Sequence, residues 1–296
     1  MIYDCIIIGA GPAGLSSSIY LGRAHKKTLL IYSTPMRTSL AININNYLGF
    51  DNISGNELID IGLKQAEKYG VEILISTVKN IIKEDIFSVI TYQGTFSSKY
   101  VIVASGINDV LPNIDNLFEF LGETFFTCFD CDGYRMTNKN VFIIGNEDSS
   151  ARTALAIKQT YTNKITICTG KENKISIKYI KKLQEENINI INKNIKHING
   201  DNGTIENIVL DDNSILKCDC ILSDLGYERN DSFLQGLNLK RSETGYIKVN
   251  SHYESSIKNL FVIGPLNTGP DQVSVAVGQG AIAAIHIIES EFKLEV

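Results

Sequence analysis

The chain has 296 residues, of which 44% are hydrophobic, and a formal net charge of −5. This length suits two domains of ordinary size, and the apolar content lets each bury a core, which excludes a disordered chain. The mild negative charge does not indicate a nucleic-acid-binding protein. The first residues lack the features of a signal peptide, and no apolar run looks long enough to span a bilayer, so we expect a cytoplasmic protein.

Two strand–turn–helix–strand units follow each other along the chain. The first comprises an apolar run at residues 3–8, a helical pattern at 13–24 and a second apolar run at 28–32. The second comprises runs at 141–144 and 165–168 around a helical pattern that ends near 159. Further buried strands are predicted at 100–104, 221–225 and 260–263, and a helix at 273–289. Short apolar strands that alternate with helices indicate doubly wound parallel sheets.

A complete dinucleotide fingerprint lies in the first unit. It reads Gly9-Ala10-Gly11-Pro12-Ala13-Gly14 and connects a predicted strand to a predicted helix. In this pattern the glycines make the turn tight, let a pyrophosphate approach the backbone, and let the helix pack on the strand. The acidic residue that usually follows about 20 positions later is missing, since the second strand ends in Tyr32-Ser33. We therefore expect backbone and hydroxyl contacts to hold the adenosine.

The second unit carries a damaged version of the same pattern. It reads Gly145-Asn146-Glu147-Asp148-Ser149-Ser150-Ala151, so that Glu147 replaces the middle glycine and Ser150 the last small residue. A glutamate there directs a carboxylate at a bound pyrophosphate, and repulsion between like charges opposes binding.

A pair of cysteines precedes the second unit. Cys128 and Cys131 have C-x-x-C spacing and are followed by Asp132-Gly133. This spacing favours a redox-active dithiol, and Asp132 is placed to exchange a proton with it. Half of a metal site and two buried thiols are the alternatives; no further ligands complete a metal set, so we predict no metal. We expect a packing role for the other cysteines, which are Cys5, Cys168, Cys218 and Cys220. Cys218 and Cys220 should lie on one face of a strand.

In these motifs and their order, the chain resembles the low-molecular-weight thioredoxin reductases over nearly its full length. The dithiol segment is similar to that family's Cys-Ala-Thr-Cys-Asp-Gly. The other matching segments are 9–14 (flavin fingerprint), 46–50 (Glu-Asn-Phe-Pro-Gly-Phe), 104–106 (Ala-Thr-Gly), Gly226 with Asn230 (Gly-x-x-Pro-Asn), Gly264 (Gly-Asp) and 271–273 (Arg-Gln-Ala).

The resemblance implies an α/β fold of two Rossmann-like, three-layer ββα domains, the second inserted into the first. The FAD domain would comprise residues 1–114 and 246–296, and the inserted domain, with the dithiol and a degenerate NADPH-binding-like fold, residues 115–245. It also implies that Cys131 faces the flavin, that Cys128 attacks thioredoxin, that Asp132 is the acid, and that the protein is a homodimer. The implied FAD contacts are Gly9, Gly11, Pro12, Ala13, Gly14, Tyr32, Ser33, Asn46, Val78, Ala104, Ser105, Gly106, Gly264, Gln272 and Val273.

The chain departs from that family where NADPH would bind. Besides Glu147 and Ser150, the His-Arg-Arg…Arg clamp for the 2′-phosphate aligns with Thr169-Gly170-Lys171…Ile175, which leaves one cation. Pro265 also replaces the aspartate of the Gly-Asp motif. A flavin accepts electrons singly or in pairs. The departures therefore predict ferredoxin as electron donor, as in the ferredoxin-dependent flavin thioredoxin reductases, with thioredoxin as acceptor.

Several alternatives stay open at this point. The chain could be an NAD(P)H-dependent thioredoxin reductase that uses Lys171, or a non-catalytic redox sensor. The second site could hold another ligand, such as a second flavin. Six lysines between residues 164 and 182 could attract an acidic donor, but they also suit an ordinary solvated surface.

Overall fold

The chain divides into two compact units. A computed structural model describes residues 1–267 and 269–292. One unit comprises Met1–Asn108 and Glu228–Val296, and the other comprises Asp109–Tyr227. The chain passes into the second unit after Asn108 and back into the first after Tyr227. Both positions precede the domain limits inferred from the sequence, which lie after residues 114 and 245. Ile114 packs in a hydrophobic cluster of the second unit, whereas Phe233 and Leu234 pack in a cluster of the first unit that includes Tyr3.

The first unit is built on a seven-stranded sheet with the strand order β3-β2-β1-β6-β5-β4, and β17 (Leu260–Val262) also pairs with β6. β4 and β5 are antiparallel additions to an otherwise parallel sheet. Its elements are β1 (Ile2–Ile8), α1 (Pro12–Arg23), β2 (Thr28–Tyr32), α2 (Gly55–Lys68), β3 (Glu72–Ile75), β4 (Val78–Lys83), β5 (Phe87–Thr91), β6 (Thr95–Val103) and the start of β7 (Ile107–Asp109).

The second unit contains a parallel five-stranded sheet, ordered β11-β10-β9-β15-β8, and an antiparallel sheet ordered β12-β13-β14. Its elements are β8 (Phe125–Phe126), α3 (Phe129–Asp132), β9 (Val141–Ile144), α4 (Asp148–Thr160), β10 (Ile165–Cys168), α5 (Ile177–Glu185), β11 (Asn189–Ile191), β12 (Ile195–Asp201), β13 (Thr204–Leu210), β14 (Ile215–Lys217), β15 (Cys220–Ser223) and the start of β16 (Tyr227–Arg229). The chain then returns to the first unit for β17 (Leu260–Val262) and α6 (Val273–Ser290).

The strands β1 and β9 are mostly apolar because both faces of their sheets are covered. β1 of the first unit pairs in parallel with β2 and β6, and apolar residues pack on both of its sides. Strands of this kind read as continuous apolar runs, which is why the sequence predicts them well. The helices α1 and α6 approach closely, since a Cβ on Gly280 would lie 2.2 Å from the carbonyl oxygen of Ala13.

Two expectations from the sequence are wrong. Cys218 and Cys220 are both buried, but they pack in different hydrophobic clusters, because β15 begins only at Cys220 and strict alternation does not reach Cys218. The second is the expectation that no apolar run is long enough to span a bilayer. By length and composition alone, α6 is long and apolar enough to do so. Its buried residues pack against α1 and include the polar side chain of Gln279.

Candidate active site

The turn after β1 brings the first fingerprint into tight contact with its own helix. Gly9 has a φ of +109°, which favours glycine, and its N–H donates to the carbonyl oxygen of Ile31 at 2.8 Å. A Cβ on Gly14 would lie 1.8 Å from the carbonyl oxygen of Gly9. Any side chain at Gly14 would therefore push α1 away from the turn.

The N-terminus of α1 is shaped for a phosphate. Gly11 is the N-cap residue, Pro12 begins the helix, and the first turn contains no acidic residue. A Cβ on Gly11 would meet nothing within 4 Å in the described chain, in contrast to Gly14. Open space in front of the N–H groups of a helix start is what a pyrophosphate requires. This end of the first unit therefore fits FAD.

A buried hydroxyl lies beside the residues predicted to contact adenosine. Tyr32 ends β2, and its carbonyl oxygen accepts the N–H of Ser76 at 2.8 Å. The Oγ of Ser76 is buried and has no hydrogen-bond partner in the part of the chain that the structure describes. Ser33 is exposed, and Val78 begins β4 with a buried side chain. Ser76 was not identified from the sequence, since a lone serine after a strand carries no signal.

Two segments that are distant in sequence meet near the start of α6. Asn46 donates from Nδ2 to Oε1 of Gln272 at 2.9 Å, and Arg37 pairs with Asp271 at 2.7 Å. Val273 begins α6 directly after them. The structure thus brings together Asn46, Gln272 and Val273, which the sequence analysis had predicted separately as flavin contacts.

The segment after β6 is held by Asn230. Ser105 donates from Oγ to the carbonyl oxygen of Asn230 at 2.6 Å, and Asn230 Nδ2 donates back to the Ser105 carbonyl oxygen at 3.2 Å. Ala104 is buried, and Gly106 has a φ of +69°. The matching segments at 104–106 and 230 therefore form one local structure.

Gln279 organises the turn in which Pro265 replaces the expected aspartate. This buried side chain accepts the N–H of Gly264 at 2.6 Å and the Nδ2 of Asn267 at 3.0 Å through its Oε1. A Cβ on Gly264 would lie 3.7 Å from the Cβ of Ala13, so the turn lies beside the start of α1. The sequence offered no signal for Gln279, which lies in the middle of an apolar helix.

In the second unit, Cys128 and Cys131 form a disulfide. Cys128 is the N-cap of the short helix α3, and the N–H of Cys131 donates to its Sγ at 3.1 Å. This contact holds the two cysteines together in one turn at the start of α3. Both cysteines are partly exposed.

Asp132 follows the dithiol in a partly buried position. Burial raises the pKa of its carboxyl group to about 6, although the positive charge of Arg135 acts in the opposite direction. Arg135 lies 3.6 Å from Asp132 and also donates to the carbonyl oxygens of Gly122 and Glu123, each at 2.7 Å. A carboxyl group with a pKa of about 6 can take up and release protons near neutral pH.

The second fingerprint folds, but its surroundings differ from those of the first. Glu147 is the exposed N-cap of α4, where the first site has Gly11. The loop after β10 lies against this end of the helix: Lys174 donates its N–H to the carbonyl oxygen of Asn146 at 2.8 Å, and Ser176 donates its N–H to Oδ1 of Asp148 at 2.7 Å. Acceptors of the fingerprint, on Asn146 and Asp148, therefore already use two N–H groups of the loop after β10.

Part of the lysine-rich segment is neutralised locally. Lys174 pairs with Glu172 at 3.6 Å, and Lys182 lies within 3.5 Å of both Glu185 and Glu186. A docking role for this surface stays a prediction.

The parallel sheets, a dinucleotide cradle and a disulfide followed by a partly buried acid define a flavin-dependent disulfide oxidoreductase. Residues 3–280 match the family described as Pyridine nucleotide-disulphide oxidoreductase, and the chain belongs to this family. FAD is therefore its cofactor, as the sequence analysis predicts, and the predicted α/β flavin disulfide reductase fold is confirmed.

Characterised relatives cover almost the whole chain. It is 30% identical to a thioredoxin reductase of Treponema pallidum, with 95% of each chain covered. It is 28% identical to a thioredoxin reductase of Bacillus subtilis, over 96% of this chain and 93% of the relative. In fold it is similar to the crystal structure of thioredoxin reductase from Streptococcus pyogenes, with a TM-score of 0.90, 23% identity and coverage of 98% and 99%.

Proposed function

We propose that the chain is a cytoplasmic thioredoxin reductase whose electrons come from a reduced iron–sulfur protein such as ferredoxin rather than from NADPH. Relatives named thioredoxin reductase over the full length support thioredoxin as the acceptor. The observation that carries the donor assignment is the altered second fingerprint, where Glu147 caps α4 and Lys171 is the one cation left of the family's clamp. A pyridine nucleotide needs both parts of that site.

FAD would be held by the residues of the first unit described above, with its pyrophosphate at Gly11 and the N-terminus of α1, its adenosine near Tyr32, Ser33 and Ser76, and its ring system near Asn46 and Gln272. When bound, it supplies the ability to accept electrons one at a time and pass them on as a pair. This property matches a one-electron donor to a two-electron disulfide.

The chain's own residues carry out the disulfide chemistry. Two electrons and two protons convert the Cys128–Cys131 disulfide into two thiols. Cys128, as a thiolate, attacks one sulfur of the thioredoxin disulfide and forms a mixed disulfide while the other thioredoxin sulfur leaves as a thiolate. Cys131 then loses its proton to Asp132 and attacks Cys128 Sγ, which releases reduced thioredoxin and restores the original disulfide. The contact from the Cys131 N–H to Cys128 Sγ supports this order of attack.

We also propose that the protein is a homodimer. The buried residues of α6 form one stripe, whereas Ile282 and Ile285 on the same helix are 41% and 39% exposed. An apolar surface on a helix that also contributes to a core is typical of a subunit contact.

One anaerobic experiment separates the donors. The oxidised holoprotein is mixed with NADPH, with NADH and with reduced ferredoxin, and the flavin absorbance is followed. We expect rapid bleaching with ferredoxin alone. Rapid bleaching by either nucleotide would contradict the proposal and support an atypical nicotinamide site.

The cysteine assignment has its own test. With reduced ferredoxin present, Cys128→Ser abolishes thioredoxin reduction, whereas Cys131→Ser accumulates a mixed disulfide with thioredoxin. Cys168→Ala, a change at a buried cysteine in β10, serves as control and retains turnover. If the wild type itself fails to turn over, a redox sensor explains the dithiol better.

A further inference from the structure

Asp224 occupies an informative position in the second unit. It directly follows β15, which lies beside β9 in the sheet order β11-β10-β9-β15-β8. The chain leaves β9 through α4 towards β10 on one side, while β15 lies on the other side. The crevice between the carboxyl ends of β9 and β15 is therefore the topological switch point, where open α/β sheets bind their ligands.

The first unit contains the same arrangement, which allows a direct internal comparison. Val103 of β6 is paired with Ile8 of β1, and the next residue, Ala104, donates its N–H to the Ile8 carbonyl oxygen at 2.7 Å. Ser223 of β15 is likewise paired with Ile144 of β9, and Asp224 donates its N–H to the Ile144 carbonyl oxygen at 2.7 Å. Asp224 thus stands where the intact cradle has the methyl group of Ala104.

The carboxylate of Asp224 lies against the start of α4. Its Oδ2 accepts a hydrogen bond from Oγ1 of Thr153 at 3.3 Å, and its carbonyl oxygen would lie 2.8 Å from a Cβ on Gly145. The backbone of Asp224 is therefore beside the glycine turn, and its side chain is beside the first turns of the helix. Burial raises the pKa of this carboxyl group above its ordinary value, and nearby hydroxyl groups of α4 together with the positive charge of Arg152 oppose part of that rise.

A carboxylate in this crevice competes with a phosphate in two ways. It uses hydroxyl donors near the positive end of the helix, and its negative charge repels another anion at short range. Glu147 adds a second carboxylate, but that side chain is exposed and can turn towards solvent. Asp224 is held in place by Thr153, so its effect does not depend on a flexible side chain.

We propose that Asp224 is a specificity-determining residue that excludes the pyrophosphate of pyridine nucleotides from the second cradle. The inference rests on the proposed function, in which the donor is not a pyridine nucleotide. The proposed function requires only that the second cradle has lost favourable contacts with a nucleotide. The present inference adds that Asp224 actively prevents a nucleotide from binding there.

The experiment measures binding of NADPH and of NADH to the holoprotein by ligand-observed NMR, up to about 10 mM nucleotide. The variants are Asp224→Ala, which restores the residue type of the intact cradle, Asp224→Asn, which keeps the shape, and Asp224→Ala combined with Glu147→Gly. Asp201→Ala removes an exposed carboxylate of β12 in the same unit and controls for net charge.

We expect both single variants at Asp224 to bind nucleotide at least about tenfold more tightly than the wild type. The double variant should bind more tightly again, and Asp201→Ala should bind as the wild type does. Unchanged melting curves and flavin spectra show that the variants are folded.

The inference would be overturned if the folded Asp224 variants bound nucleotide no more tightly than the wild type. It would also be overturned if neither the variants nor the wild type showed binding at about 10 mM. Either result would leave the ferredoxin proposal standing. If the wild type itself binds and oxidises NADPH, the proposed function fails as well. The two failures are therefore distinguishable.

Discussion

At the scale of single residues, Asp132 combines a proposed chemical role with a cost in stability. Its carboxyl group has an ordinary pKa of 3.8 and a pKa of about 6 in the folded protein. Between these values the folded state holds a proton that the unfolded state has released. The free energy of unfolding therefore falls as the pH rises through this window, and the full cost is present above about pH 6.

Asp132→Asn removes this cost. We expect the variant to exceed the wild type in unfolding free energy by up to about 3 kcal/mol at about pH 8, with no gain below about pH 4. Denaturant titrations at several pH values measure the difference. Asp130→Asn changes an exposed neighbour and should give no such pH-dependent gain. A gain for Asp132→Asn that is equal at all pH values would contradict the assigned titration.

The first fingerprint separates two uses of glycine. Gly11 faces open space, whereas Gly14 touches the backbone of Gly9. We expect Gly11→Ala to leave the melting temperature of the apoprotein nearly unchanged and to weaken FAD binding at least about tenfold. Gly14→Ala should destabilise the apoprotein itself by about 2 kcal/mol or more, because the new methyl group forces backbone to move. Thermal melts of the two apoproteins, followed by titration with FAD, test both expectations. Equal destabilisation of the apoprotein by Gly11→Ala and Gly14→Ala would contradict the distinction.

At the scale of elements, the connection from β17 to α6 depends on one buried amide. Gln279→Leu would leave the N–H of Gly264 and the Nδ2 of Asn267 without this acceptor, so we expect a loss of about 1–3 kcal/mol in stability and weaker FAD binding. Gln235→Leu, at an exposed position of the same unit, should change neither. Calorimetry and FAD titration give both quantities, and an unchanged melting temperature for Gln279→Leu would show that the turn is held in another way.

The two glycine-rich turns show how far local sequence predicts an element. The four strands and two helices of these units form where the hydrophobic pattern predicts them, including β9 (Val141–Ile144) and β10 (Ile165–Cys168) without any shift. Their ends are set by short-range features, such as the Pro12 start of α1, and are therefore readable. β6 begins at Thr95, earlier than predicted, because its first residues are polar apart from Phe96 and become a strand through pairing with β5.

At the scale of the whole molecule, the proposed dimer makes α6 the element to test. Charged residues in place of Ile282 and Ile285 (Ile282→Glu with Ile285→Glu) should convert a dimer into monomers at micromolar concentration, because burying unpaired carboxylates is costly. Ile215→Glu changes a more exposed apolar residue on β14 and should leave the dimer intact. Sedimentation velocity distinguishes the states, and a wild type that sediments as a monomer would contradict the dimer.

The sequence by itself determined the class of the protein, because its motifs are local. The fingerprint at 9–14, the Cys128–Cys131 spacing and the loss of the middle glycine at Glu147 need no tertiary information. Hydrophobic runs likewise indicated the parallel sheets. The compact units divide after residues 108 and 227, and residues 228–245 contain no pattern that says in which core Phe233 and Leu234 pack.

Only the tertiary structure decided which distant residues share a site. Asp224 reaches the second cradle because β15 pairs with β9, and Asn46 meets Gln272 across 226 positions of sequence. Strand pairing and burial between such distant segments depend on the packing of the complete sheet, which local periodicity does not encode. The sequence therefore identified an altered nucleotide site from Glu147, while the fold was needed to show that Asp224 stands in it.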